Sequence, residues 1–110
     1  MAVRTIIFRG KRVDNGEWVY GDLQHDYNGE PRCISDYCGA NPVDPSTVGQ
    51  YTGLKDKNGK RIFENGYMII DKQTYKVLFD NGEYILKNIF NCDIIQLKNN
   101  SNIGVFVDEI

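Results

Sequence analysis

Apolar and polar residues alternate over short segments of this chain, and no stretch of ten residues repeats its apolar positions with the 3.6-residue period of a helix. Five Asn-Gly pairs interrupt the alternation, with their asparagines at positions 15, 28, 58, 65 and 81. Asn-Gly favours tight hairpin turns because both residues tolerate positive φ. The pattern therefore predicts an all-β fold of short antiparallel strands joined by Asn-Gly hairpins, bent into a small irregular barrel or pseudobarrel that covers its edges.

The clearest hairpin signal surrounds Asn81-Gly82, between apolar segments at 74–79 and 84–87. If Asn81-Gly82 is a two-residue turn, the side chains of Phe79 and Tyr84 face each other on an apolar side of the hairpin, and so do Val77 and Leu86. The other side is mixed and holds Lys76, Leu78, Ile85 and Lys87. A mixed face predicts partial burial, either under the N-terminal half of the chain or against another subunit.

A second hairpin is predicted near the N-terminus, where a strand-like segment at 3–12 precedes Asn15-Gly16. A two-residue loop there places Val13 opposite Trp18 and Lys11 opposite Tyr20, which makes Trp18 a core anchor. The first strand of this hairpin carries four basic residues, which we expect to line a solvated strand edge or, alternatively, to form an anion-binding patch. They are Arg4, Arg9, Lys11 and Arg12.

The remaining segments give weaker signals. Short strands are predicted at 32–37, 92–97 and 103–107, whereas the proline-containing segment 41–45 is expected to form a loop. The stretch 49–66 combines aromatic, basic and turn residues most densely, and it is predicted to form a turn with a solvated tip, a short strand and a second turn.

Length and composition bound the function. A chain of 110 residues forms one domain, 1–110, and is too short for two of ordinary size. The net charge of −2 does not support generic nucleic-acid binding. Apolar runs of about four residues are too short to span a membrane, and the N-terminus lacks a signal-peptide pattern. We therefore expect a cytoplasmic protein with no membrane partner.

Metal and nucleophilic chemistry would depend on four residues, His25, Cys33, Cys38 and Cys92. The odd number of cysteines indicates free thiols in a reducing compartment. Four residues separate Cys33 from Cys38, which is longer than the usual zinc-binding spacing. Whether these four side chains converge in space is not determined by the sequence. No phosphate-binding loop or catalytic signature occurs, so we expect no cofactor, no metal and no enzymatic activity.

Two segments carry a family resemblance. V-G-Q-Y-T-G-L-K-D-K-N-G-K at 48–60, followed by R-I-F-E, resembles the hallmark of YopX-like proteins, which bacteriophages and prophages encode. T-I-I-F-R-G-K-R at 5–12, followed by G-E-W-V-Y-G, is similar to the start of that family. The chain departs from the family at 63–67, where F-E-N-G-Y lacks the Asp of a Tyr-Glu-Gly-Asp-like string. The resemblance implies an all-β protein of phage origin that self-associates in the bacterial host cell, and it supplies no catalytic residues.

Two hypotheses for function follow. The first is a non-enzymatic protein-binding or assembly module, a homo-oligomer or a partner of a host or phage protein, which uses the mixed face around Leu78 and Ile85. The alternative is a nucleic-acid-binding β-barrel, because cations and aromatic neighbours combine on single-strand-binding surfaces. Its contact residues would be Tyr51, Lys55, Lys57, Lys60 and Arg61, beside Phe63, with the acidic Asp56 and Glu64 diluting the patch.

Overall fold

The computed structural model describes residues 5–110, and its regular structure there consists of eleven strands and three short 3₁₀ turns. Every strand pairing given by the register is antiparallel. The predicted all-β fold of short antiparallel strands is therefore confirmed. By their contacts the residues form two compact units, unit 1 (Met1–Tyr51) and unit 2 (Thr52–Ile110).

Unit 1 is a sheet with the strand order β4-β3-β2-β1-β5, and β5 continues past Tyr51 into unit 2. Its strands are β1 (Phe8–Lys11), β2 (Trp18–His25), β3 (Pro31–Asp36), β4 (Gly39–Pro42) and β5 (Gly49–Lys55). Val19, Ile34 and Val43 form its buried core. Part of the segment predicted to be a loop, 41–45, is thus strand β4, because its residues pair with β3 before the 3₁₀ turn Pro45–Thr47 begins.

The β1–β2 hairpin forms with a register two residues away from the predicted one. Lys11 lies opposite Trp18, rather than opposite Tyr20. The N–H of Arg12 donates to the carbonyl of Glu17 at 2.9 Å, which leaves four residues in the loop instead of two. The Asn15 side chain accepts a hydrogen bond from the Glu17 N–H and stabilises this longer loop. Each side chain still lies on the predicted face of the hairpin, because a register shift of two residues preserves the alternation of side chains between the two faces.

The basic residues of β1 do not line a solvated edge, since β1 lies between β2 and β5. Arg9 is only 1% exposed, and its guanidinium carbon lies 3.9 Å from the centroid of the half-buried Trp18 ring. Lys11 places its ammonium 5.5 Å from the same ring. Arg12 is paired with Asp14 at 2.7 Å, and Arg4 lies outside the described residues. The predicted solvated strand edge is therefore wrong, and a cation–π contact takes its place.

Unit 2 contains the rest of β5 paired with β6, and a five-stranded sheet of order β10-β9-β8-β7-β11. Its strands after β5 are β6 (Arg61–Phe63), β7 (Tyr67–Ile70), β8 (Gln73–Asp80), β9 (Glu83–Asn88), β10 (Ile94–Gln96) and β11 (Val105–Val107). One face of the five-stranded sheet buries Met68, Val77, Leu86 and Phe106 almost completely. The sheet is open, because β10 and β11 are edge strands. Closure into a barrel is therefore not seen in this sheet.

The β8–β9 hairpin has the predicted register. Phe79 lies opposite Tyr84, and Val77 lies opposite Leu86. Asn81 and Gly82 both have positive φ, at 50° and 80°, which is the backbone of a type I′ turn. The Phe79 and Tyr84 rings meet edge to face, with centroids 4.9 Å apart.

Candidate functional site

The hairpin between β5 and β6 ends in a tip built around Asp56. The Asp56 N–H donates to the carbonyl of Lys60 at 2.8 Å, and the Gly59 N–H donates to the carbonyl of Asp56 at 3.0 Å. The Asp56 Oδ1 atom accepts two further hydrogen bonds, from the N–H groups of Asn58 and Lys60, both at 2.9 Å. Only Gly59 has positive φ, so this is a three-residue loop closed by an aspartate, and not the expected Asn-Gly turn.

The other carboxylate oxygen of Asp56 connects the tip to strand β11. Asp56 Oδ2 accepts a hydrogen bond from the Phe106 N–H at 2.8 Å, and the Lys57 N–H donates to the carbonyl of Gly104 at 3.2 Å. Lys60 adds an ion pair with Asp108 at 3.8 Å. Because β11 is an edge strand, these contacts occupy backbone groups that another strand could otherwise pair with.

Asp56 is 6% exposed, and its environment changes its pKa. Burial is the largest single influence and acts to raise the pKa of this carboxyl. The hydrogen bonds from the N–H groups of Phe106, Lys60 and Asn58, with the charge of Lys60, together outweigh it, so the net shift lowers the pKa below the ordinary value of 3.8. The carboxylate therefore stays ionised in the folded protein at neutral pH.

The structure separates the five predicted contact residues into two groups. Lys55, Lys57, Lys60 and Arg61 are exposed and surround the tip in unit 2. Tyr51 belongs to unit 1, is 7% exposed and donates its N–H to the carbonyl of Ile7. The neighbouring Phe63 is also buried, at 4% exposed. The four cations are thus on the surface, and Lys60 is paired there with Asp108, but neither of these two rings is presented for stacking on a base.

The sequence suggests that Asp56 is an exposed charge that dilutes the cationic patch of the tip. In the structure Asp56 is buried. The signal that could have identified it is the repeated string Asp-x-Asn-Gly, which also occurs at 26–29. Asp26 makes the corresponding set of hydrogen bonds, accepting from the N–H groups of Asn28 at 2.9 Å and Glu30 at 3.1 Å. An aspartate two residues before Asn-Gly therefore indicates a side-chain-closed loop.

The second candidate surface is the mixed face of the five-stranded sheet, which spans all five strands. The register places on it Val105 and Val107 of β11, Tyr67 and Ile69 of β7, Thr74, Lys76 and Leu78 of β8, Ile85 and Lys87 of β9, and Ile94 and Gln96 of β10. Ile94 is 58% exposed and Ile69 is 38% exposed. The predicted partial burial is confirmed, since Ile85 is buried and Leu78 half-buried.

The residues considered for metal or thiol chemistry are distributed over separate elements. His25 ends β2, Cys33 lies within β3, Cys38 follows β3, and Cys92 lies between β9 and β10. All three cysteines are free, and two of them are exposed. Within residues 5–110, no group of three or more His, Cys, Asp or Glu side chains is arranged to hold a metal ion. The same residues contain no helix long and apolar enough to cross a membrane.

Comparison with known proteins gives one finding. A family model described as YopX protein matches residues 7–107, which is nearly the whole chain. No curated protein matches this chain.

Proposed function

The chain belongs to the YopX protein family, and from that premise we propose that it is a non-enzymatic assembly module that associates with further copies of itself. The setting we propose is phage or prophage life, in the cytoplasm of a bacterial host cell. The observation that carries the proposal is the mixed face of the five-stranded sheet, where apolar side chains remain exposed on the edge strand β10 and on β7, the neighbour of the other edge strand.

The composition of the mixed face suits a protein partner better than solvent alone. Ile94 at one edge and Ile69 beside the other edge strand expose 58% and 38% of their surface, and half-buried Val105 and Tyr67 lie near Ile69. Covering such side chains removes apolar surface from water, which is favourable by about 25 cal/mol per Å². Lys76 and Lys87 lie directly opposite each other on the same face and keep it from being uniformly apolar.

Light scattering after size-exclusion chromatography tests self-association. An interface made of apolar side chains predicts an oligomer whose mass is the same at low and at high salt, because burial of apolar surface is not screened by ions. A mass equal to that of one chain at every concentration tested would refute assembly, and dissociation by salt would show that charges, and not the mixed face, hold the copies together.

A second function, nucleic-acid binding by the tip, is favoured by one observation. Asp56, the acid nearest the four cations in sequence, is buried and faces backbone N–H groups, so its carboxylate is not displayed beside Lys55 and Lys57. The charged side chains exposed on the loop beside Asp56 are therefore the lysines, although the buried carboxylate keeps its charge. Because Tyr51 and Phe63 are buried, these two rings would not stack on bases, and the binding proposed for the tip is contact of its cations with phosphates.

An oligonucleotide titration at two salt concentrations distinguishes the two functions. If the tip binds phosphates, affinity falls steeply with salt, and replacing Lys55 and Lys57 by glutamine weakens binding to all sequences equally. Lys98→Gln is the matched control, since Lys98 is an exposed lysine in a separate 3₁₀ turn. Affinity that is unaffected by the double substitution would exclude the tip as the contact surface.

A further inference from the structure

The two edges of the five-stranded sheet differ in whether their backbone groups are engaged. At β11 the Phe106 N–H donates to the Asp56 carboxylate, and the Gly104 carbonyl accepts from the Lys57 N–H. At β10 (Ile94–Gln96), β9 is the only neighbouring strand among residues 5–110. In this part of the chain β10 is therefore the edge of the sheet that is open to a further strand.

The hydrogen bonds to β9 determine which backbone groups of β10 face outward. The Asn88 N–H donates to the Asp93 carbonyl at 2.8 Å, so these two residues form a hydrogen-bonded pair. Hydrogen-bonded and non-hydrogen-bonded pairs alternate in an antiparallel ladder. Ile95 therefore bonds to β9, whereas Ile94 and Gln96 direct their N–H and C=O groups away from it. Outward groups on residues two apart are the arrangement that an added antiparallel strand needs.

These outward groups are largely unused. The N–H and C=O groups of Ile94 and the N–H of Gln96 make no hydrogen bond within the described residues 5–110. The Gln96 carbonyl accepts from the Asn100 side-chain amide at 2.7 Å and keeps a second lone pair. β10 has no proline, no charged side chain and no register shift against β9, which are devices that protect edge strands. Its short length limits pairing to three residues on each side.

The sequence of β10 is compatible with a second copy of itself. With a two-fold axis beside Ile95, Ile94 lies opposite Gln96 of the second copy, and the two residues exchange N–H···O=C hydrogen bonds. β10 is uncharged, so this register brings no like charges opposite each other. Addition of β10 to β11 of another copy is blocked by the tip, and edge pairing therefore closes as a symmetric dimer.

We propose that β10 pairs antiparallel with β10 of a second copy and joins the two five-stranded sheets into one. This inference rests on the self-association proposed above and adds an edge contact, made by backbone hydrogen bonds, to the contact through the mixed face. The two-fold axis is perpendicular to the sheet, so both mixed faces lie on the same side. Ile94, which is 58% exposed and belongs to the mixed face, then lies at the junction of the two copies.

Proline at position 96 tests the edge contact. Gln96 has φ of −81°, close to the value of about −65° that proline requires. Its N–H faces away from β9, so Gln96→Pro removes an outward donor and no bond to β9. Gln96→Ala is the matched control, because it loses the same side chain and keeps the N–H. Light scattering after size-exclusion chromatography should give Gln96→Pro half the mass of the wild type and Gln96→Ala the full mass.

Hydrogen exchange of single backbone amides, followed by NMR, gives a readout that is independent of mass. In the paired sheet the N–H groups of Ile94 and Gln96 exchange slowly at high protein concentration and rapidly once dilution separates the copies. The Ile95 N–H, which bonds to β9, should exchange slowly at both concentrations. Rapid exchange of the Ile94 and Gln96 amides in the wild-type oligomer would overturn edge pairing.

Ile69→Lys separates this inference from the proposed contact through the mixed face. Ile69 is on that face in β7, is 38% exposed and is distant from β10 in the strand order. If Ile69→Lys lowers the mass and Gln96→Pro does not, the mixed-face contact stands and edge pairing is overturned. If only Gln96→Pro lowers the mass, edge pairing stands and the mixed-face contact fails. A loss of mass in both variants supports both contacts, and a wild type that is monomeric at every concentration overturns both.

Discussion

The carboxylate of Asp56 joins the tip of the β5–β6 hairpin to strand β11, because it accepts backbone hydrogen bonds from both. Its place in a lysine-rich turn suggested a solvated charge, yet it is 6% exposed and accepts three backbone hydrogen bonds. Two of these bonds are local and follow from the Asp-x-Asn-Gly string. The third comes from Phe106, fifty residues away, and no local pattern could indicate it. Long-range hydrogen bonds of this kind depend on packing between segments and are not encoded in a turn sequence.

The two Asp-x-Asn-Gly tips allow a matched comparison of stability. Asp56→Ala should lower the free energy of unfolding by about 3 kcal/mol, because three N–H groups lose a charged acceptor at a buried position. Asp26→Ala removes two similar local bonds at a half-buried position and should cost about 1 kcal/mol. Urea unfolding at neutral pH measures both. Equal losses for the two variants would show that the bond to Phe106 contributes nothing.

The lowered pKa of Asp56 predicts a dependence of stability on pH. Above the ordinary value of 3.8 the carboxylate is ionised in both the folded and the unfolded chain, so its contribution to stability is complete. As pH falls below 3.8 the unfolded chain takes up the proton first, and the contribution is lost as pH reaches the lower pKa of the folded state. Stability should therefore fall more steeply with acid in the wild type than in Asp56→Asn.

Urea midpoints measured from about pH 5 down to about pH 2 check this difference in slope. Other carboxyls, including Asp14, whose pKa is lowered by its hydrogen bond to Arg12, titrate in both proteins and cancel in the comparison. Parallel curves for the wild type and Asp56→Asn would contradict the assignment of a lowered pKa to Asp56.

At the scale of elements, strand existence was more predictable than turn type. The β8–β9 hairpin has the register predicted from its sequence, because Asn81 and Gly82 both adopt positive φ and form the type I′ turn. The same string, Asp-Asn-Gly-Glu, occurs at 14–17, where the loop has four residues, so the local sequence does not decide between the two turns. At three other Asn-Gly pairs, beginning at 15, 28 and 58, only the glycine has positive φ. A nearby Asn or Asp side chain accepts backbone N–H groups in each case and lengthens the loop.

The turn between β7 and β8 was not predicted at all, because it lacks glycine and asparagine. Asp71 and Lys72 have φ of 50° and 67°, and Ile70 pairs directly with Gln73 across them. The left-handed backbone is costly for a lysine. Here the pairing of the two flanking strands imposes the turn, in spite of the preference of its residues.

Replacing Lys72 with glycine should relieve this strain. We expect Lys72→Gly to raise the free energy of unfolding by about 1 kcal/mol. Glycine removes the strain of the left-handed backbone, and this gain exceeds the loss that arises because glycine also increases the entropy of the unfolded chain. Lys57→Gly is the control, an exposed tip lysine without positive φ, and should lower stability by about 0.5 kcal/mol. Thermal and urea unfolding measure both. A destabilised Lys72→Gly would mean that the side chain of Lys72 contributes more than its backbone costs.

For the whole molecule, length and composition predict a single domain, 1–110. The number of independently folding domains remains a prediction. The residues cluster into two compact units whose boundary falls inside β5, between Tyr51 and Thr52. Because the boundary interrupts a strand and not a flexible linker, we expect the chain to unfold in a single cooperative step. Calorimetry should give equal calorimetric and van't Hoff enthalpies, whereas two resolved transitions would identify two independent domains.

The family, the all-β class and the mixed face could all be predicted from the sequence, since each rests on local strings or on two-residue alternation. The burial of Arg9 against Trp18 and the close approach of β2 and β3 at Gly21 could not, because both depend on which strands become neighbours. The surface proposed for assembly is therefore one that the sequence pattern also indicates.

The most direct test of assembly through the mixed face is the solution mass of two matched isoleucine variants, measured by light scattering after size-exclusion chromatography. Ile94 on the mixed face is 58% exposed, and Ile103, in a 3₁₀ turn outside the sheet, is 53% exposed. If the copies associate through the mixed face, Ile94→Lys lowers the mass to that of one chain, because a lysine buried at the interface has no partner charge, while Ile103→Lys keeps the wild-type oligomer. A wild-type oligomer that persists in Ile94→Lys and dissociates in Ile103→Lys, or a wild type that is monomeric throughout, would contradict it.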